Sequence, residues 1–392
     1  MNNKSSLNLS VFNEKGKNTA RDVGIVFPCY GYERVSYSLP LANVNFKRVY
    51  ALPIYRVIKA NFYKNTPVLI PSNIDLLHTW NAIPITLKPF IISFENEFPR
   101  YFGKLYKWQE LLGLSILNSK RCHSILALSE IAAELARDKF RYLGYPGIAT
   151  KIGVFRGGVT IDKELLGRKR VYYSGGTLKL IFIGGDIFPK GFSPAFKALE
   201  QLVKNGVKLE FIVVGRFKKG GYVLKEYSPD PESWKGILNE AFWVTHYEQL
   251  SNNEVLDKLS KQDLLISPSY DETLGWSIVE AGLLGVPAIT TNVFALPELV
   301  KHKLSGYMIN LKLGKQNRWQ GVWKSGAALE LEIEEANNVI YDGVIRAVTN
   351  IIQEPELLKK YSENAQLHMR DLYDVEKSAN ILTSIYKKAM NR

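Results

Sequence analysis

Short runs of Val, Ile, Leu and Phe recur along this chain without alternating polarity, separated by polar or helix-patterned stretches. In the first half they are GIVFP at 24–28, VYALPIY at 49–55, VLIP at 68–71, IDLLHTW at 74–80, FIISF at 90–94 and SILALS at 124–129. Strands apolar on both sides belong in parallel sheets covered by helices on each face. A polar, glycine-closed stretch, GRKRVYYSGG at 167–176, then interrupts the series. It restarts as LKLIFIGG at 178–185, LEFIVVG at 209–215, FWVTHY at 242–247, DLLISPS at 263–269 and PAITTN at 287–292. Two successive β/α series in 392 residues predict two doubly wound domains, since one core of that size is rare. We place the first at 1–172 and the second at 173–365, with a terminal helix at 366–392. The face of that helix is read as Ile381, Leu382, Ile385 and Tyr386. Between the first-half runs, Ser129 reads as the N-cap of a helix over 130–142 with Ile131, Leu135 and Phe140 inward.

Charge separates the halves further. Residues 1–170 hold 25 Lys/Arg against 12 Asp/Glu, while the rest holds 26 of each, so the formal net charge of +13 belongs to the first half. That asymmetry predicts an anionic partner for the first domain, or else a well-hydrated surface with none. The cations are scattered rather than forming a stripe interleaved with aromatics, which argues against nucleic acid. Two cysteines, Cys29 and Cys122, are too few for a disulfide framework and point to a reducing, cytoplasmic compartment. The opening MNNKSSLNLS reads as a polar leader without a signal-peptide core, and no apolar run approaches a membrane span, so any bilayer contact is expected to be peripheral. Residues 310–338 break the β/α rhythm with Lys312, Lys315, Arg318, Trp319, Trp323 and Lys324 ahead of an acidic run, and read as an insertion that anchors to the core or covers a ligand.

The chemistry concentrates in SPSYDETLGWSIVEAGLLGVPAI at 267–289. A strand ends there, and a helix is expected from Gly275, whose missing Cβ lets a ligand approach the first-turn N–H groups beside Thr273, Leu274 and Trp276. Glu272 precedes that helix and Glu280 lies about a turn inside it, so both reach a pocket at the strand ends. Carboxylates repel phosphate but accept hydrogen bonds from hydroxyls, and a sugar nucleotide offers hydroxyls at both ends. Taken alone, Glu272 reads as a helix cap and Glu280 as a solvated surface residue.

This stretch resembles the E-x7-E signature of retaining glycosyltransferases of family 4, also called group 1, with Ser267, Pro268, Ser269, Gly285, Pro287, Pro297 and Glu298 matching its surroundings. IFIGGDIFPKG at 181–191 is similar to the loop in which that family places a diphosphate-binding lysine, here Lys190; Gly185 stands where an arginine is common. Arg216, after LEFIVVG, is the candidate replacement, with Lys218 and Lys219 as competitors. In the first half YGYERV at 30–35 resembles the family's glycine loop through Gly31. ILALSE at 125–130 and KIGVFRGGV at 151–159 resemble its last strand and the segment before the linker. Where the family carries a histidine near the reacting carbon, Glu95 stands in this sequence, and His78 is the other candidate.

The resemblance implies a GT-B fold: two Rossmann-like domains facing across a cleft, with the C-terminal helix returning to the first. It further implies transfer of a sugar, with retention, from a nucleoside diphosphate sugar to a glycan or lipid-linked hydroxyl, as in assembly of bacterial surface polysaccharide or lipopolysaccharide. Lys190 and the helix N-terminus would stabilise the leaving diphosphate, Glu272 would hold donor sugar hydroxyls and Glu280 the ribose. No Asp-x-Asp triplet occurs, so neither metal nor cofactor is expected. A nucleotide-sugar epimerase of the same fold and a non-catalytic nucleotide-sugar binder are the alternative readings.

Overall fold

A computed structural model describes residues 20–27, 39–50, 52, 67–69, 73–100 and 106–391. The leader, the YGYERV run with Gly31, and Cys29 lie outside the described residues.

Two six-stranded parallel sheets carry the chain. The first comprises β1 (Arg21–Phe27), β2 (Val44–Tyr50), β3 (Leu76–Trp80), β4 (Phe90–Phe94), β5 (Cys122–Ala127) and β6 (Ile152–Val154), in the order β2-β1-β3-β4-β5-β6. Strands β7 (Leu178–Asp186), β8 (Leu209–Arg216), β9 (Val244–Tyr247), β10 (Leu264–Ser267), β11 (Ala288–Thr291) and β12 (Gly306–Ile309) form the second, in the order β12-β11-β10-β7-β8-β9. Read from β9, this is the doubly wound order 3-2-1-4-5-6, whose strand direction of travel reverses between β7 and β10.

The helices of two turns or more are α1 (Lys107–Asn118), α2 (Glu130–Tyr142), α3 (Phe192–Lys204), α4 (Pro231–Glu240), α5 (Asn252–Ser260), α6 (Trp276–Leu283), α7 (Gly326–Gln353), α8 (Glu356–Tyr373) and α9 (Val375–Met390). Helix α2 opens as read, with Ser129 accepting from the Ala132 N–H, but its buried face is Ala132, Ala133, Ala136 and Phe140, with Ile131 and Leu135 only partly covered.

Period-2 alternation divides the first sheet between two cores. Val23, Leu76, Ile91 and Leu126 point to one side, where α9 lies through Ala379, Leu382, Tyr386 and Ala389. Leu77, Phe90, Ile92 and Ile125 point to the other, against α1 and α2. The C-terminal helix thus returns to the first domain as expected. Its crossing comes at Asp374, the N-cap of α9, because α8 packs on α6 and stays with the second domain. Ile381 is exposed, off the buried face of α9, while Leu382 and Tyr386 are buried and Ile385 is partly covered.

Beyond β12 the insertion is shorter than its composition suggests. Its acidic part is the first turns of α7, and only 310–325 form irregular structure. Trp319 is buried beside Tyr270, their ring centroids 5.3 Å apart, while Trp323 is exposed. Strand β12 and the short β6 escaped notice in the sequence because neither carries a long apolar run.

Candidate functional site

The reversal between β7 and β10 opens a crevice at the carboxyl ends of those strands, and the two loops leaving them supply its charged groups. After β7 comes a turn, Phe188–Lys190, closed by Gly191 at φ 76°. A Cβ at Gly191 would stand 2.1 Å from the Pro268 carbonyl oxygen, so glycine alone lets the first loop lie against the second. The Tyr270 N–H donates to the Pro189 carbonyl at 3.1 Å and ties them together. Lys190 Nζ consequently meets Glu272 Oε2 in an ion pair, and Glu272 Oε1 accepts the Thr273 N–H at 3.1 Å. Gly275, at φ 84°, is the N-cap of α6, with Leu296 Cδ2 only 2.9 Å from where a Cβ would stand. Thr273 and Gly275 thus lie just before the first turn of α6, whose leading N–H groups have no partner within the helix.

One residue before Glu272, the Asp271 carboxylate is buried. Arg318, from the insertion, donates to it through Nε at 2.9 Å and through Nη2, and the Tyr222 hydroxyl donates at 2.8 Å. Burial and Asp271 together push the Tyr222 hydroxyl well above its usual range, so it stays a donor. Two loops that leave different strands thus clamp the residue adjoining Glu272. The sequence reading missed this triad; the signal was Arg318 itself, the one arginine within an insertion otherwise basic through lysine.

At the end of β7, Asp186 is raised by burial, an effect opposed by Lys218 and Lys190 nearby. Lys218 is thus near enough to Asp186 to act on it, while the ion pair of Lys190 is with Glu272. Arg216 is exposed and donates to Gln249. Gly185 leaves open space where a Cβ would project. Glu280, on α6, is half-buried.

Two expectations are corrected. His78 is fully buried in β3: Nδ1 meets the Tyr386 hydroxyl at 2.7 Å and Nε2 the Ser93 hydroxyl at 2.8 Å. Burial lowers its pKa to about 3, so it is a neutral anchor for α9 with no surface left for a substrate. Leu274 is also buried, its side chain packed with Phe294 and Ala295 into the first domain's core, which leaves only its backbone to a ligand. Trp276, partly buried, touches both domains' cores.

In the first domain Glu95 follows β4 and is half-buried; its N–H donates to Asn81 Oδ1 at 3.4 Å. Beyond it, Asn96, Glu97 and Phe98 line one side of a cavity of about 420 Å³, with Phe294, Gln316 and Arg318 of the second domain opposite. The lobes also meet at Glu298. Its carboxylate accepts the N–H groups of Glu130 and Ile131, both at 3.0 Å, and pairs with Arg156 at 2.8 Å. Among the described residues no group of three or more His, Cys, Asp or Glu could hold a metal ion.

Residues 169–316 match the family described as glycosyl transferases group 1. A protein of Klebsiella pneumoniae named for its cps region is 38% identical over 69 residues, 18% of this chain and 19% of that protein. Glycogen synthase of Mycobacterium tuberculosis is 25% identical over 169 residues, 43% of this chain and 38% of the relative. The chain thus spans well under half the length of these curated relatives. Solved structures share the fold more fully. A glycosyltransferase from Rickettsia africae superposes with a TM-score of 0.59 at 15% identity, covering 95% of this chain and 99% of that one. Anabaena Alr3699/HepE in complex with UDP-glucose does so at 0.54 and 13% identity, covering 94% and 100%. The architecture is GT-B, and the second domain carries the group 1 glycosyltransferase match.

Proposed function

We propose that the protein is a retaining, metal-independent glycosyltransferase that moves a sugar from a nucleoside diphosphate sugar to a hydroxyl of a glycan or lipid-linked acceptor. The observation that carries this reading is the Lys190–Glu272 pair at the β7/β10 crevice, beside the N-terminus of α6. A diphosphate and a sugar are the complementary ligands for that pair: the ammonium turns to phosphate oxygens and the carboxylate to sugar hydroxyls. As the glycosidic bond breaks, charge grows on the leaving diphosphate. Lys190, with Lys218 behind it and the first-turn N–H groups of α6, then binds the transition state more strongly than the donor. Glu280 holds the ribose, and Glu95 faces the reacting carbon from the first domain.

The complexes of the Anabaena protein with UDP and with UDP-glucose support a nucleotide-sugar donor. The setting we propose is assembly of a bacterial surface polysaccharide or lipopolysaccharide on the cytoplasmic side of the membrane, in keeping with the Klebsiella relative's cps region. Among the described residues no helix is long and apolar enough to cross a bilayer, so a lipid-linked acceptor is met from the membrane surface.

Release of nucleoside diphosphate from UDP-, GDP-, ADP- and dTDP-sugars tests the reading. At least one donor is expected to turn over, and Lys190→Ala and Glu272→Gln each to cut the rate about a hundredfold or more. Turnover unchanged by both substitutions, or of no donor, contradicts it, and proton NMR of the product's anomeric centre decides retention.

A further inference from the structure

Helix α1 is apolar on two opposite sides. Gln109, Gly113, Leu114 and Leu117 are buried, the two leucines in the first domain's core. On the other side Trp108, Leu111, Leu112 and Ser115, spaced i, i+3, i+4 and i+7, face solvent. Trp108 is 55% exposed, Leu111 48% and Leu112 37%, and Tyr106 at the N-cap is 50% exposed. A helix that buries one face of a globular domain normally presents charge on the other. Here the outward face is aromatic and aliphatic, and charge gathers at its ends: Lys107 at the start, Lys120 and Arg121 just past the last turn, all exposed, with Glu110 the one carboxylate in the helix.

We propose that this face of α1 is a membrane-docking surface that lies in the headgroup boundary of a bilayer containing anionic lipid. Indole and phenol rings favour that boundary, leucines enter the acyl region beneath it, and cations at both ends of the helix meet anionic headgroups. The same cations disfavour a second copy of the chain as the occupant, because helix pairing in either direction brings them onto one another. The surface also suits the site. As the crossover between the parallel strands β4 and β5, α1 runs opposite to them, which puts its Tyr106–Trp108 end at the sheet edge that bears Glu95. Docking there holds the first domain's side of the cleft against the membrane. The proposal deepens the lipid-linked acceptor reading and rests on it for the direction from which acceptor arrives.

Co-sedimentation of the full chain with sucrose-loaded vesicles tests it, using phosphatidylcholine alone and phosphatidylcholine with one third phosphatidylglycerol. The chain is expected to pellet with the anionic vesicles, and more weakly in 0.5 M salt. Leu111→Glu with Leu112→Glu is expected to lower the apparent affinity about tenfold or more. Lys120→Gln with Arg121→Gln, which changes two exposed side chains, is expected to weaken binding several-fold at low salt only. No pelleting with anionic vesicles, pelleting unaffected by both pairs of substitutions, or a dimer in light scattering that the leucine pair abolishes overturns the proposal. Thermal stabilisation by nucleotide sugars reads the second domain alone. Its retention in a chain that does not bind vesicles removes only the docking surface; its absence in a chain that does bind them removes only the donor reading.

Discussion

Glu298, in the second domain, pairs at 2.8 Å with Arg156, in the first, while its carboxylate also closes the N-terminus of α2 through Glu130 and Ile131. First-turn N–H groups have no partner within their own helix, and the helix dipole favours an anion beside them. The other domain thus adds to the cap that Ser129 makes within its own, and the backbone carbonyl of Glu298 accepts from His368 of α8 at 2.7 Å. The contact links α2 of the first domain to α8 of the second.

Removing that carboxylate loosens the lobes. Glu298→Ala is expected to cost about 1–3 kcal/mol in urea unfolding, a helix cap plus a charge-assisted hydrogen bond, and to raise the radius of gyration in solution scattering. Glu298→Gln, which keeps one acceptor, is expected to cost less. Unchanged stability and scattering in the alanine variant would show that the contact holds nothing in place.

The Asp271 triad yields a coupling. Arg318→Met leaves a buried carboxylate without its cation and is expected to destabilise by about 3–5 kcal/mol. Adding Asp271→Asn removes the stranded charge, so the double variant should recover a large part of that loss. Additive single effects in the unfolding cycle would mean the two side chains are energetically independent.

Acid should act on the first domain through His78. Its native pKa, about 3, lies below the ordinary 6.5, so below pH 6.5 the unfolded chain binds a proton that the native state refuses. This group's contribution is complete above pH 6.5 and falls by about 1.4 kcal/mol per unit of further acidification, down to about pH 3. His78→Gln should show a correspondingly shallower loss of stability between pH 7 and 5. The same slope in both proteins would place the titrating group elsewhere.

Much of the architecture could be read from residue patterns because parallel strands buried on both faces leave continuous apolar runs; FIISF and LKLIFIGG coincide with β4 and most of β7. Helix α2 was legible at both ends, its cap and its length, but not in its inward face, where small alanines rather than Ile131 and Leu135 meet the sheet. At the site, Lys190 and Glu272 were each singled out after β7 and β10, but their ion pair was not. His78 misled because it read as the end of a strand facing a ligand, whereas it is the middle residue of β3 and meets a tyrosine 308 positions away. Contacts between distant segments, Arg318 with Asp271 and Glu298 with Ile131, leave no periodic trace, and only the folded chain reveals them.

Thermal unfolding with UDP-, GDP-, ADP- and dTDP-sugars at millimolar concentration, for the unaltered chain and for Lys190→Ala, addresses most directly whether the β7/β10 crevice grips a nucleoside diphosphate sugar. A donor present at a hundred times its dissociation constant adds about 2.7 kcal/mol, so one sugar nucleotide should raise the midpoint by about 5 °C, and the lysine substitution should remove most of that rise. Stabilisation by none of them, or a shift of equal size without Lys190, would contradict the assignment of this crevice.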